Sequence, residues 1–138
     1  MITSRDLNSL HPVVGKMARQ FIIDCGHAGI DVLITSTYRD HESQNALYAQ
    51  GRTKPGKKVT NAKGGQSFHN YKIALDFVPL TNGKPNWNDL DLFTKCGTIA
   101  ESCGFEWAGR WKRFKEYAHI QFTNGHTLKH FQNGGTLN

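Results

Sequence analysis

The stretch Ile73-Ala74-Leu75-Asp76-Phe77-Val78 constrains the fold more than any other part of the chain. Residues 73–79 predict a strand, and alternation sends Ala74, Asp76 and Val78 to one face and Ile73, Leu75 and Phe77 to the other. A carboxylate set between small apolar neighbours needs a partner, because a buried unpaired charge is too costly to persist. Three kinds of partner are open to Asp76: a metal, a basic side chain, or a set of backbone donors.

The rest of the chain supplies elements to pack around that strand. Val14, Met17, Ala18, Phe21, Ile22 and Cys25 recur at three-four spacing and predict a helix from about Pro12 to Cys25. The β-branched run from Asp31 to Tyr38 predicts a buried strand with Arg39 at its end. Asp40 suits the N-cap of a short helix ending near Gln50. Residues 52–66 mix glycines and Pro55 with Arg52, Lys54, Lys57, Lys58 and Lys63, and read as an exposed basic loop. A second amphipathic helix spans about Asp89 to Cys103, and short strands are predicted at 105–108 and 119–122. The glycine-rich tail from about Gly125 is expected to be loosely held. With 138 residues this order suits one α+β domain, 1–138.

Charge and composition narrow the partners. Seventeen basic against eleven acidic side chains give +6, and the pI is near 9.4, so nucleic acid, anionic cell wall and anionic lipid are all candidates. Three Trp, four Tyr and eight Phe supply a core and argue against a disordered basic tail. No segment approaches the roughly 18 apolar residues of a membrane span, and no apolar run of signal-peptide length follows Met1, so a chain made soluble in the cytoplasm, without stable membrane insertion, is expected. Cys25, Cys96 and Cys103 form no Cys-x-x-Cys pair and read as packing thiols.

Two histidines stand where they can reach Asp76. His69 lies seven residues upstream after a glycine-rich loop, and His119 shares a strand face with Gln121 in Glu116-Tyr117-Ala118-His119-Ile120-Gln121-Phe122. Two imidazoles and a carboxylate are a common three-ligand set for catalytic zinc, which keeps its fourth position for water. Glu116 is then placed to take that water's proton. A rival reading, a non-enzymatic nucleic-acid-binding module using Arg110, Trp111, Lys112, Arg113, Phe114 and Lys115, leaves His69, Asp76, His119 and Glu116 unexplained.

Ser67-Phe68-His69-Asn70-Tyr71-Lys72-Ile73-Ala74-Leu75-Asp76 resembles the S-x-H-x-x-G-x-A-x-D signature of the superfamily of zinc D-Ala-D-Ala carboxypeptidases and L-alanyl-D-glutamate endopeptidases. Ser36-Thr37-Tyr38-Arg39 is similar to its S-G-Y-R, and residues 44–52 to its Q-x-x-L-Y-x-Q-G-R. Residues 107–119 are similar to its W-G-x-x-W-x-x-x-x-D-x-P-H. These matches cover Ser36 to Phe122, and the branch they most resemble is the small phage endolysins.

The resemblance implies a Hedgehog/DD-peptidase-like antiparallel sheet carrying zinc on His69, Asp76 and His119, with packed helices. It implies Glu116 as general base, Arg39 orienting substrate or stabilising the oxyanion, and Ser67 supporting the site by hydrogen bonding. The implied substrate is the L-Ala-D-Glu bond of the peptidoglycan stem peptide, cut by a monomer without a separate wall-binding domain, after holin-type release from the host cytoplasm. A D-Ala-D-Ala carboxypeptidase or dipeptidase would share this chemistry. Four departures stand out: Lys72 for glycine, Ala118 for proline, Glu116 for aspartate and Thr37 for glycine.

Overall fold

The computed structural model describes residues 1–138. Helix α1 (Pro12–His27) has proline in its first turn and buries Val14, Ala18, Phe21 and Cys25. Strand β1 (Val32–Ser36) leads to α2 (His41–Ala49), whose N-cap Asp40 accepts from the Ser43 N–H at 2.8 Å. Strand β2 (Ala74–Thr81) turns through Asn82 and Gly83, both at positive φ, into the two-residue β3 (Lys84–Pro85). Then come α3 (Leu90–Ser102), β4 (Glu106–Trp107), β5 (His119–Gln121) and α4 (Leu128–Gln132).

The sheet order is β1-β2-β5-β4 with every neighbour antiparallel, and β3 pairs with the far end of β2. The strand with the embedded carboxylate is therefore internal, as its apolar residues on both faces require. On one face α1 and α3 bury Phe21 edge-on to Phe77 at 5.1 Å, with Phe93 at 5.7 Å from Phe77. All three rings are buried, and each contributes about 2–3 kcal/mol of transfer free energy. Asp76 belongs to the opposite face.

A tight joint fixes the far edge. A Cβ on Gly97 in α3, or on Gly109, would lie 2.1 Å from the indole of Trp107, so both glycines make room for that ring. Trp107 Nε1 in turn donates to the Tyr117 carbonyl at 2.9 Å, tying down the segment that enters β5. The cysteines are packing groups: Cys25 and Cys96 are buried, and burial together with Asp24 pushes the Cys103 thiol up to about 11. No helix is long and apolar enough to cross a membrane.

The tail departs from expectation. Instead of hanging loosely, it forms α4, buries Phe131 and Leu137, and packs Phe131 edge-on to Phe68 and tilted against Tyr71, at 6.1 and 6.0 Å between ring centres. Asn124 Nδ2 holds the Leu137 carbonyl at 2.7 Å, and Gln132 Nε2 donates to the Gly65 carbonyl at 2.9 Å. Two apolar anchors in a glycine-rich segment are enough to dock it, because the surface that receives them is already apolar. Residues 52–66 do form a loop, but α2 pins it. Arg52 Nη1 donates to the Tyr48 and Thr60 carbonyls at 2.7 and 3.0 Å, and Gln44 Nε2 to the Ala62 carbonyl at 2.9 Å.

Candidate metal centre

Local capping places His69. Ser67 Oγ accepts the His69 N–H at 3.2 Å, opening a short 3-10 turn over Phe68–Tyr71, and Asn70 Oδ1 returns to the Ser67 N–H at 3.2 Å. Asn70 Nδ2 also donates to the Arg39 carbonyl at 2.8 Å, joining the turn to the end of β1. The turn closes on Lys72 in the left-handed conformation at φ 65°. That is the place of the motif glycine, and Lys72 adopts this glycine-favouring backbone with its ammonium 5.0 Å from the centre of the Tyr38 ring.

Sheet register places the other two residues. Asp76 on β2 lies directly opposite His119 on β5, so strand pairing brings the aspartate to a histidine 43 positions away. Ala118, where the motif has proline, accepts from the Phe77 N–H at 2.9 Å, and this bond sets the approach of His119 without a proline. Asp76 Oδ1 is 3.1 Å from both His69 Nε2 and His119 Nδ1, and the three donor atoms lie within 4.8 Å of one another.

The outward nitrogens are engaged as well. His69 Nδ1 donates to the Thr37 carbonyl at 2.8 Å, and His119 Nε2 lies 2.8 Å from Gln121 Oε1. Two imidazole lone pairs and a carboxylate oxygen therefore face one point and can coexist there only around a cation or shared protons. Burial works against charge on Asp76, but the His69 and His119 rings outweigh it and hold the carboxyl far below its usual range. For His119, burial is likewise outweighed, by Asp76 first and then Gln121 and Glu116, and its pKa is raised. Two nitrogens and one oxygen in this arrangement fit a divalent cation such as zinc.

Arg39 faces this cluster and not the neighbouring surface acids. Its Nη1 donates to Gln44 Oε1 at 2.8 Å and its Nη2 to Ser36 Oγ at 3.1 Å, with Nη2 4.0 Å from Asp76 Oδ2. Burial pulls its pKa down while Asp76 and Glu116 push it back up. Glu116 Oε2 stands 3.7 Å from His119 Nδ1, with the side chain half exposed to a groove of about 630 Å³. Val59, Gln66 and Trp111 line that groove together with Arg39, Asp76 and Glu116.

All six expected site residues thus lie within one region: Arg39, Ser67, His69, Asp76, Glu116 and His119. Gln44 was missed as a site residue; it is completely buried and links Arg39 to the 60–62 loop. Its signal was the glutamine opening the 44–52 match. The basic and aromatic run 110–115 does not present one face, because Arg110 pairs with Glu101 at 3.1 Å while Trp111 turns toward His119.

A family described as D-alanyl-D-alanine carboxypeptidase matches residues 60–122. The chain is 40% identical over 129 residues to the peptidoglycan L-alanyl-D-glutamate endopeptidase CwlK of Bacillus subtilis, covering 83% of this chain and 74% of that protein. It is 33% identical over 110 residues to the L-alanyl-D-glutamate peptidase of Listeria phage A118, covering 78% of this chain but only 36% of the relative. The crystal structure of the Serratia marcescens L-Ala D-Glu endopeptidase ChiX shares the fold, with a TM-score of 0.65, 21% identity, and coverage of 89% and 90% of the two chains. With the His/Asp/His cluster on an antiparallel sheet and a relative this similar along most of its length, the chain belongs to the D-alanyl-D-alanine carboxypeptidase family of metallopeptidases.

Proposed function

We propose that this chain is a zinc-dependent peptidoglycan endopeptidase that hydrolyses the L-Ala-D-Glu bond of stem peptides. The observation that carries the reading is the convergence of His69, Asp76 and His119 beside Glu116 in one open groove. The relatives named for this bond in Bacillus subtilis and Listeria phage A118 support the choice of bond, and the second supports a phage endolysin acting in host lysis. Residues 1–138 act as one peptidase unit, as a monomer.

His69, Asp76 and His119 would hold zinc, which when bound supplies Lewis acidity toward water and toward the scissile carbonyl. Glu116, within reach of the same point, accepts a proton from the attacking water and passes it to the departing amine of D-Glu. The L-Ala carbonyl carbon gains the water oxygen as the C–N bond breaks. Arg39, held in place by Gln44 and Ser36 with its Nη2 4.0 Å from Asp76 Oδ2, lines the groove and stabilises negative charge gathering on the carbonyl oxygen. Ser67 takes no part in bond making; its hydroxyl caps the turn that presents His69. The basic loop, with Lys57 and Lys58 exposed next to the groove residue Val59, attracts an acidic stem peptide.

The test is mass spectrometry of fragments released from purified diaminopimelate-type peptidoglycan. New peptides beginning at D-Glu, with L-Ala left on the muramyl residue, are the expected products. Loss of terminal D-Ala alone would transfer the chain to carboxypeptidase chemistry, and no release at all would overturn the peptidase reading.

A further inference from the structure

We propose that Glu106, acting through Gln121, fixes which nitrogen of His119 is free to bind the metal, so that both are positioning residues of the centre. The inference rests on the zinc reading above but concerns residues that reading does not use.

For His69 the free nitrogen is settled by backbone. Its Nδ1 faces the Thr37 carbonyl at 2.8 Å, and a carbonyl can only accept, so Nδ1 carries the proton and Nε2 is free toward Asp76. His119 has no such partner. Its Nε2 faces a side-chain amide, and an amide can turn either its oxygen or its NH2 group toward the ring. With the oxygen inward, Nε2 carries the proton and Nδ1 is free beside Asp76. With the NH2 group inward, the lone pair sits on Nε2 and the proton blocks Nδ1, the atom that faces Asp76 and His69.

Glu106 makes the choice. Its Oε2 lies 2.7 Å from Gln121 Nε2, and an ionised carboxylate accepts but cannot donate, so the NH2 group of Gln121 must point to Glu106 and the oxygen to His119. Gln121 is buried, and its amide is held between these two partners. The sheet builds the relay directly, because Glu106 on β4 is paired opposite Gln121 on β5, two positions along the strand from His119. Glu106 is itself exposed and does not line the groove, so its effect on the centre runs through the amide and not through substrate.

The relay is tested by zinc affinity, measured by competition with a chromophoric chelator on the full chain, with thermal melting as the check of folding. Gln121→Leu, which keeps the charge but removes the acceptor, should weaken zinc about 10- to 100-fold. Glu106→Lys offers only donors, should turn the amide around, and should weaken zinc in the same range without touching the groove. The exchanged pair Glu106→Gln with Gln121→Glu restores a donor facing an acceptor at unchanged net charge, and should bind zinc as the unmodified chain does. Tight binding by the unmodified chain, Gln121→Leu and Glu106→Lys alike would overturn this assignment and leave the zinc centre standing. Failure of the unmodified chain to bind zinc would overturn the centre and the relay together.

Discussion

At the scale of single residues, the proposed roles separate the groups that would hold the cation from the group that would move the proton. Glu116→Ala should leave zinc content unchanged, since Glu116 stands outside the three-donor cluster, and lower turnover by roughly 100-fold or more. His69→Ala should lose both, so metal analysis beside kinetics separates the roles; full zinc and full turnover in His69→Ala would contradict the ligand assignment. Lys72 offers a different check. It occupies a left-handed backbone position that disfavours any side chain, so Lys72→Gly should raise stability by up to about 1 kcal/mol in urea unfolding, less whatever its contact with Tyr38 contributes. The three residues of the His/Asp/His cluster were legible in the sequence because their types and motif context are local. Gln121 was visible only as a neighbour of His119 on a strand face; its bond to Glu106 depends on a strand pairing 15 residues apart that no local pattern announces.

At the scale of elements, the joint between α3 and Trp107 is the sharpest test of packing. Alanine is intrinsically better than glycine within a helix by about 1 kcal/mol, yet Gly97→Ala should destabilise by about 1–3 kcal/mol because its methyl group meets the indole. The same variant should loosen the segment carrying Glu116 and His119, because Trp107 holds the Tyr117 carbonyl. The helices and strands were readable from period and capping: Asp40 does cap α2, α3 does open next to Asp89, and the apolar stripe of α1 does face the core. The docking of the tail is not legible locally, because propensity weighs five residues of α4 against three nearby glycines and cannot see the apolar surface of Phe68 and Tyr71 waiting for Phe131.

At the scale of the whole molecule, the buried cluster couples stability to pH and to metal. Without metal, the raised pKa of His119 gives stability that is complete below its ordinary value, about 6.5, and lost as pH rises through the raised one. The lowered pKa of Asp76 gives stability that is present above about 3.9 and lost only as pH falls through the depressed value. Chelated protein should therefore gain most from this cluster between about pH 4 and 6.5 and melt at lower temperature toward alkaline pH. Zinc, replacing those protons, should remove the alkaline loss and bind more tightly as pH rises. The architecture was legible as an α+β order of elements, whereas the meeting of residues 69, 76 and 119 at one point follows from the register of β2 with β5. The most direct test of the central claim is to titrate zinc into the chelated chain while following release of D-Glu-terminated peptides from peptidoglycan. No release is expected in chelator, and activity should rise to a plateau at one zinc per chain; full activity with the metal removed would contradict the zinc-dependent reading.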